Sequence, residues 1–168
     1  MINIYVKYSG VGAMLSKKDF LLMSFLRKNS RQRLTKMSKQ TKVPVSTIYD
    51  KLKVFEKGII QKHTSLIDFS KLGFNARANI MLKVKRENRE ELKKDLMQCN
   101  NINTVYKINT GFDFMVEGVF RNIKDMEDFL EKLDDRFEIK ERKVFYIIED
   151  LKREGFLSDP NSADIIAE

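Results

Sequence analysis

The chemistry open to this chain of 168 residues is bounded by what it lacks. His63 is its only histidine and Cys99 its only cysteine. A histidine-based metal site, a Ser–His–Asp triad or a Cys–His pair would each be short of a member, and no metal or cofactor is expected. Asp113 and Glu117 are spaced to share one face of a strand, as a carboxylate pair for acid–base work would be. The simpler expectation is that one is solvated and the other meets a lysine. Gly10-Val11-Gly12 is too short to cradle a phosphate. What remains is a set of hydroxyls and charges: Ser46, Thr47, Tyr49, Asp50, Lys53 and Lys57, preceded by Arg31, Arg33, Lys36, Lys39 and Lys42 and followed by Lys62 and His63. Such groups bind phosphates and base edges; they do not break bonds.

Charge is segregated in the same way. Up to Phe74 there are 15 Lys and Arg against 4 Asp and Glu, a net of +11; the remainder has 17 against 20, a net of −3, which gives the overall +8. A mixed surface would serve solubility equally well, so a cationic module beside a near-neutral one is the footprint of a polyanion binder. With 42% apolar and 33% charged residues, the chain has the composition of one medium or two small globular domains. It has no apolar run near the roughly 20 residues that span a bilayer, and Met1–Tyr8 lacks the pattern of a signal peptide. A single cysteine excludes an intrachain disulfide and suits a reducing compartment. A cytoplasmic setting without a membrane partner is therefore expected. Cys99 reads as a small hydrophobe at a helix end, and Met81, Met97, Met115 and Met126 as core filling.

The polar set needs elements to hold it. Residues 1–13 alternate as a strand does and break at Gly10 and Gly12, which leaves an added edge strand or a loose arm open. A helix from Ser16 to about Lys28 opens on a capping-box-like pair, Ser16 and Asp19. Its sides are apolar nearly all round, so part of that surface should meet another subunit or the N-terminal arm. A second helix spans about 34–41, with Leu34, Met37 and Thr41 inward. After Lys42-Val43-Pro44 a third runs from Val45 to Lys57, where proline fits the first turn. At about 100° per residue, Ile48, Leu52 and Phe55, with Val45 beside them, form one face of this helix. Ser46, Asp50, Lys53 and Lys57 form the other, flanked by Thr47, Val54 and Tyr49. An apolar stripe seats such a helix while its polar side enters the major groove of duplex DNA. Asp50 repels phosphate, so it either accepts from a cytosine amino group or pairs with Lys53. The run Ile59–Ile67 is strand-like and suits a wing, closed by Gly73.

From Ala76 the pattern becomes a repeated βαβ unit: strand 78–85, helix 89–99, strand 102–109, then strand 112–121, helix 123–135, strand 138–149. Asn88 with Glu91 and Asn122 with Asp125 are the expected caps. The fold class is thus α+β, a winged helix-turn-helix followed by a ferredoxin-like βαββαβ domain. The divisions are an arm at 1–13, the DNA-binding domain and hinge at 14–74, a dimerisation and effector domain at 75–150, and a tail at 151–168. Both faces of the last two strands are apolar: Phe112, Phe114, Val116 and Phe120 oppose Met115 and Val119, and Val144, Tyr146 and Ile148 oppose Ile139, Phe145 and Ile147. Helices cover one face only, so the other implies a homodimer. The tail, with Leu151, Phe156, Leu157, Ile165 and Ile166, is the alternative cover.

At these residues the chain resembles the Lrp/AsnC, or feast/famine, transcription regulators. Asn29-Ser30-Arg31, Leu34-Thr35, Met37-Ser38, Val43-Pro44 and Thr47-Ile48 follow that family's helix-turn-helix. Gly58-Ile59-Ile60, Leu66-Ile67-Asp68 and Lys71-Leu72-Gly73 resemble its wing and hinge, and the βαββαβ half resembles its regulatory domain. The likeness covers about 15–150. It departs in a stretch one residue shorter between Phe55 and Gly58, in Lys51 where arginine is common, and in a tighter glycine–aspartate loop, Gly111-Phe112-Asp113. The resemblance implies a dimer, often built into tetramers or octamers, on pseudo-palindromic double-stranded promoter sites. It also implies a small-molecule effector, usually an amino acid, at Thr110, Gly111, Phe112 and Asp113. A tetrapyrrole (sirohaem) decarboxylase-like enzyme of similar fold is one alternative reading, and a low-specificity architectural DNA-binding protein the other.

Overall fold

The computed structural model describes residues 5–8, 11–109 and 111–162, the strands among 5–14 by their backbone. The chain divides into two compact units, one formed by 1–66 together with 152–168 and the other by 67–151.

In the first unit β1 (Tyr5–Tyr8) pairs antiparallel with β2 (Val11–Met14), so the N-terminal segment makes its own hairpin. Helix α1 (Lys17–Lys28) starts on the full capping box: the Asp19 amide donates to Ser16 Oγ, and Ser16 N donates to the Asp19 carboxylate at 2.8 Å. Helices α2 (Leu34–Thr41) and α3 (Val45–Gly58) follow. Their tight turn is made by Lys42 in the left-handed conformation (φ 57°), whose amide reaches Ser38 O, and by Thr41 Oγ1, which accepts from Val43 N. The core is Phe20, Leu22, Met23, Phe25, Met37, Val43, Ile48 and Phe55. Val45, expected beside this stripe, is exposed, whereas Val43 just before α3 is buried in the core. Residues 59–68 carry no strand. Their β-branched composition lacks a second adjacent run to pair with, and Asp68 ends the segment by capping a 3-10 turn at Phe69–Leu72.

The tail is drawn into this unit. Arg27 Nη2 meets the Glu154 carboxylate at 2.7 Å, its Nε donates to Phe156 O at 3.2 Å, and Leu157 packs against the core. Part of the apolar surface of α1 is thus met by residues 154–157 of the chain's own tail; Ile165 and Ile166 lie outside the described residues.

The second unit is β3 (Ala76–Val84), α4 (Arg89–Gln98), β4 (Ile102–Lys107), β5 (Phe114–Phe120), α5 (Ile123–Arg136) and β6 (Ile139–Tyr146). All pairings are antiparallel, in the order β4-β5-β3-β6. Ala78, Ile80, Leu82, Phe114, Val116 and Phe120 alternate onto the face covered by Leu92 and Leu96 of α4 and Met126, Leu130 and Leu133 of α5. Asn122 caps α5 by accepting from Asp125 N at 2.9 Å. Asn88 does not cap α4: its own backbone is helical, at the end of a 3-10 turn, so its side chain is not aimed back at the helix. Ile139 differs too. Strict alternation puts it with Phe145, but the register shifts between Lys83 and Val84, so Ile139 opposite Val84 joins the core. One extra residue in a strand reverses the face of everything beyond it.

Candidate nucleic-acid interface

Helix α3 is held by two kinds of contact. Ile48 and Phe55 are 0% and 2% exposed, with Leu52 partly buried beside them. Lys51 Nζ lies 2.5 Å from Asp19 Oδ1, tying α3 to the capped start of α1. Burial, the largest influence on the Asp19 carboxyl, pushes it up, but the hydrogen bonds from Lys51 and Ser16 and the ammonium charge outweigh it and hold it below the usual carboxylate value. These contacts leave Ser46, Thr47, Tyr49, Asp50, Lys53 and Lys57 exposed on one side. Tyr49 and Lys53 come together there, the ammonium 4.4 Å from the ring centroid. Lys53 therefore pairs one turn away with the ring, and Asp50 makes no ion pair among the described residues.

Arg31, Arg33, Lys36 and Lys39 are exposed on and before α2. Arg33 occupies the N-cap of α2 without a side-chain cap, so its guanidinium is not spent there. Lys62 is exposed, and His63 Nε2 lies 3.4 Å from the Glu56 carboxylate near the end of α3. Among the described residues, no three His, Cys, Asp or Glu side chains are grouped to hold a metal, and no helix is long and apolar enough to cross a membrane.

The loop before β5 is a second point of interest. Asp113 lies just ahead of that strand, and its carboxylate accepts from Val84 N at 2.9 Å and pairs with Arg89 at 2.8 Å. Glu117 pairs instead with Arg77 at 2.7 Å and accepts from Asn103 at 2.8 Å. The two carboxylates are thus separate, each with its own arginine, where sequence suggested solvent for one and a lysine for the other. Gly111 has φ 95°, which favours glycine, and the Phe112 ring lies 5.3 Å from the Lys143 ammonium. Thr110 lies outside the described residues. Sequence reasoning missed the Asp19–Lys51 tie and the part played by Arg27. Only the capping box pointed to Asp19, and nothing local pointed to Arg27.

Residues 77–156 match the family model of the Lrp/AsnC ligand-binding domain. Over 118 residues the chain is 30% identical to the HTH-type transcriptional regulator FL11 of Pyrococcus horikoshii, which covers 70% of this chain and 78% of that one. The fold is similar to the structure of LrpC from B. subtilis, with a TM-score of 0.75, 22% identity and coverage of 82% and 97%. It is likewise similar to a transcriptional regulator of Neisseria meningitidis in complex with L-Met, with a TM-score of 0.76, 16% identity and coverage of 83% and 93%. With a helix-turn-helix unit in front and a ligand-binding unit behind, the chain belongs to the Lrp/AsnC family of HTH-type transcription regulators, proteins that regulate and do not catalyse.

Proposed function

We propose that this regulator reads specific duplex DNA sequences with α3, as a dimer or a higher assembly of dimers on pseudo-palindromic promoter sites. The observation that carries this reading is the side of α3 bearing Ser46, Thr47, Tyr49, Asp50, Lys53 and Lys57, exposed opposite the seated Ile48 and Phe55. Groove-reading helices have this division. Arg31, Arg33, Lys36, Lys39, Lys62 and His63 supply phosphate contacts that set register without sequence information. Stacking on Tyr49 preorganises Lys53, and Asp50, free of Lys53, is suited to accept from a cytosine amino group. The helix-free face of the sheet, with Met81, Tyr106, Met115 and Phe145, supports pairing with a second copy, which places two α3 helices on half-sites one turn or its multiples apart. The ligand is an amino acid at the loop Thr110–Asp113, a reading favoured by the L-Met complex of the Neisseria regulator. Asp113 anchors this loop through Val84 and Arg89.

The test is titration of a duplex from the gene's own upstream region at several salt concentrations. Log affinity should fall with log salt by about 0.9 per phosphate contact. Lys39→Ala should flatten that slope by about 1 and leave sequence preference intact, whereas Lys53→Ala should cost about 1–3 kcal/mol and relax preference. Affinity unchanged by both at moderate salt would remove α3 from the groove. Repeating the titration with each amino acid identifies the ligand by the change in affinity.

A further inference from the structure

Among the described residues of the first unit the β-hairpin is not where the sequence places a wing. Residues 59–68 carry no strand, while β1 and β2 pair from Tyr5 opposite Met14 to Tyr8 opposite Val11. Strand β1 lies against α3. The outward side of α3 nevertheless stays exposed with the hairpin in place: Tyr49 is 51% accessible, and Ser46, Thr47, Asp50, Lys53 and Lys57 are exposed with it. The hairpin therefore lies against α3 without covering these outward residues.

A ribbon in that position reaches the strands bordering the groove, much as arms outside a helical DNA-binding unit reach backbone or minor groove. The composition has the matching sign. No aspartate or glutamate precedes Asp19, whereas Lys7, Lys17 and Lys18 do. Lys7 falls on β1 itself, opposite Gly12. A two-stranded ribbon also has two outer edges, whose free backbone N–H groups are phosphate donors. Resting on the reading of α3 above, we infer that the N-terminal hairpin is the wing of this domain, a second DNA contact that grips the sugar–phosphate backbone beside the segment α3 reads.

The experiment uses the full chain, Lys7→Glu, a deletion of residues 2–13, and Lys53→Ala as a reference. Each is titrated with the same duplex at several salt concentrations and footprinted with hydroxyl radicals. Lys7→Glu should flatten the salt slope by about 1, and the deletion by at least as much. Both should lose backbone protection at the flanks while protection at the centre of each half-site persists. Thermal unfolding reports whether the deletion folds; if it does not, Lys7→Glu decides alone. The inference is overturned if slope and flank protection match the parent in Lys7→Glu, and in the deletion where it folds, while Lys53→Ala still weakens binding. If Lys53→Ala also binds as the parent does, the reading of α3 fails and the wing falls with it.

Discussion

On strand β5, a Cβ added at Gly118 would sit 2.5 Å from Cε2 and 3.1 Å from Cζ of Phe120, and 3.5 Å from Ile80 Cδ1. The ring has little freedom to retreat, since Phe120 is 1% exposed and packs at 5.3 Å against Phe129. A methyl group here overfills the core, so Gly118→Ala should lower stability by about 1–3 kcal/mol, seen as a lower urea midpoint. A midpoint equal to the parent's would mean that the ring finds a second rotamer. The same scale shows where single residues mislead. Asn88 has the right type and spacing for a cap, yet it prolongs a 3-10 turn. Asp113 was expected to be solvated or to meet a lysine, yet it fastens a loop to β3 and pairs with Arg89. Residue type states what a side chain can do; the backbone conformation decides which of those options its direction allows.

Helices were legible in sequence wherever their signals are local. Ser16 and Asp19 close on each other across three residues, and Asn122 reaches Asp125 N across the same interval. Strand faces were legible only up to the bulge that carries Ile139 into the core, since an extra residue has no compositional mark. The wing expected at Ile59–Ile67 forms no strand for a related reason: strand propensity needs a partner, and no adjacent run supplies one. Between helices, the Asp19–Lys51 bond is what couples the start of α1 to α3. Because folding lowers the Asp19 pKa, the stabilisation is complete above the unfolded value of about 3.9 and is lost as pH falls through the lower folded value. Asp19→Asn keeps an acceptor for the cap but loses the charge. It should melt below the parent at neutral pH, and the gap between the two should close below about pH 4. Melting curves across the acid range test this, and a gap constant down to pH 2 would assign the loss to the cap alone.

For the molecule as a whole, the split of charge at Phe74 already set a cationic half before a near-neutral one. The return of the tail to the first unit was not legible, because Arg27 and Glu154 are far apart in sequence and each is an ordinary surface residue until they meet. On the second unit, the helix-free sheet face has Tyr106 and Phe145 each 52% exposed, around the ion cluster of Arg77 with Glu117 and Asp150. An aromatic and methionine surface interleaved with an ion cluster suits a self-complementary two-fold interface, in which each copy presents the same patch to the other. Phe145 lies opposite Asn79 in the ladder, one step from the Met81–Lys143 pair, so a charge there would fall inside the contact. Phe145→Glu should leave the far-ultraviolet circular dichroism unchanged, because the position is half open in the single chain. It should shift sedimentation equilibrium to the monomer mass. Affinity for a two-half-site duplex should fall by at least about tenfold, as the second half-site loses its linked partner. A variant that still sediments as a dimer and holds both half-sites would place the two-fold contact on another surface.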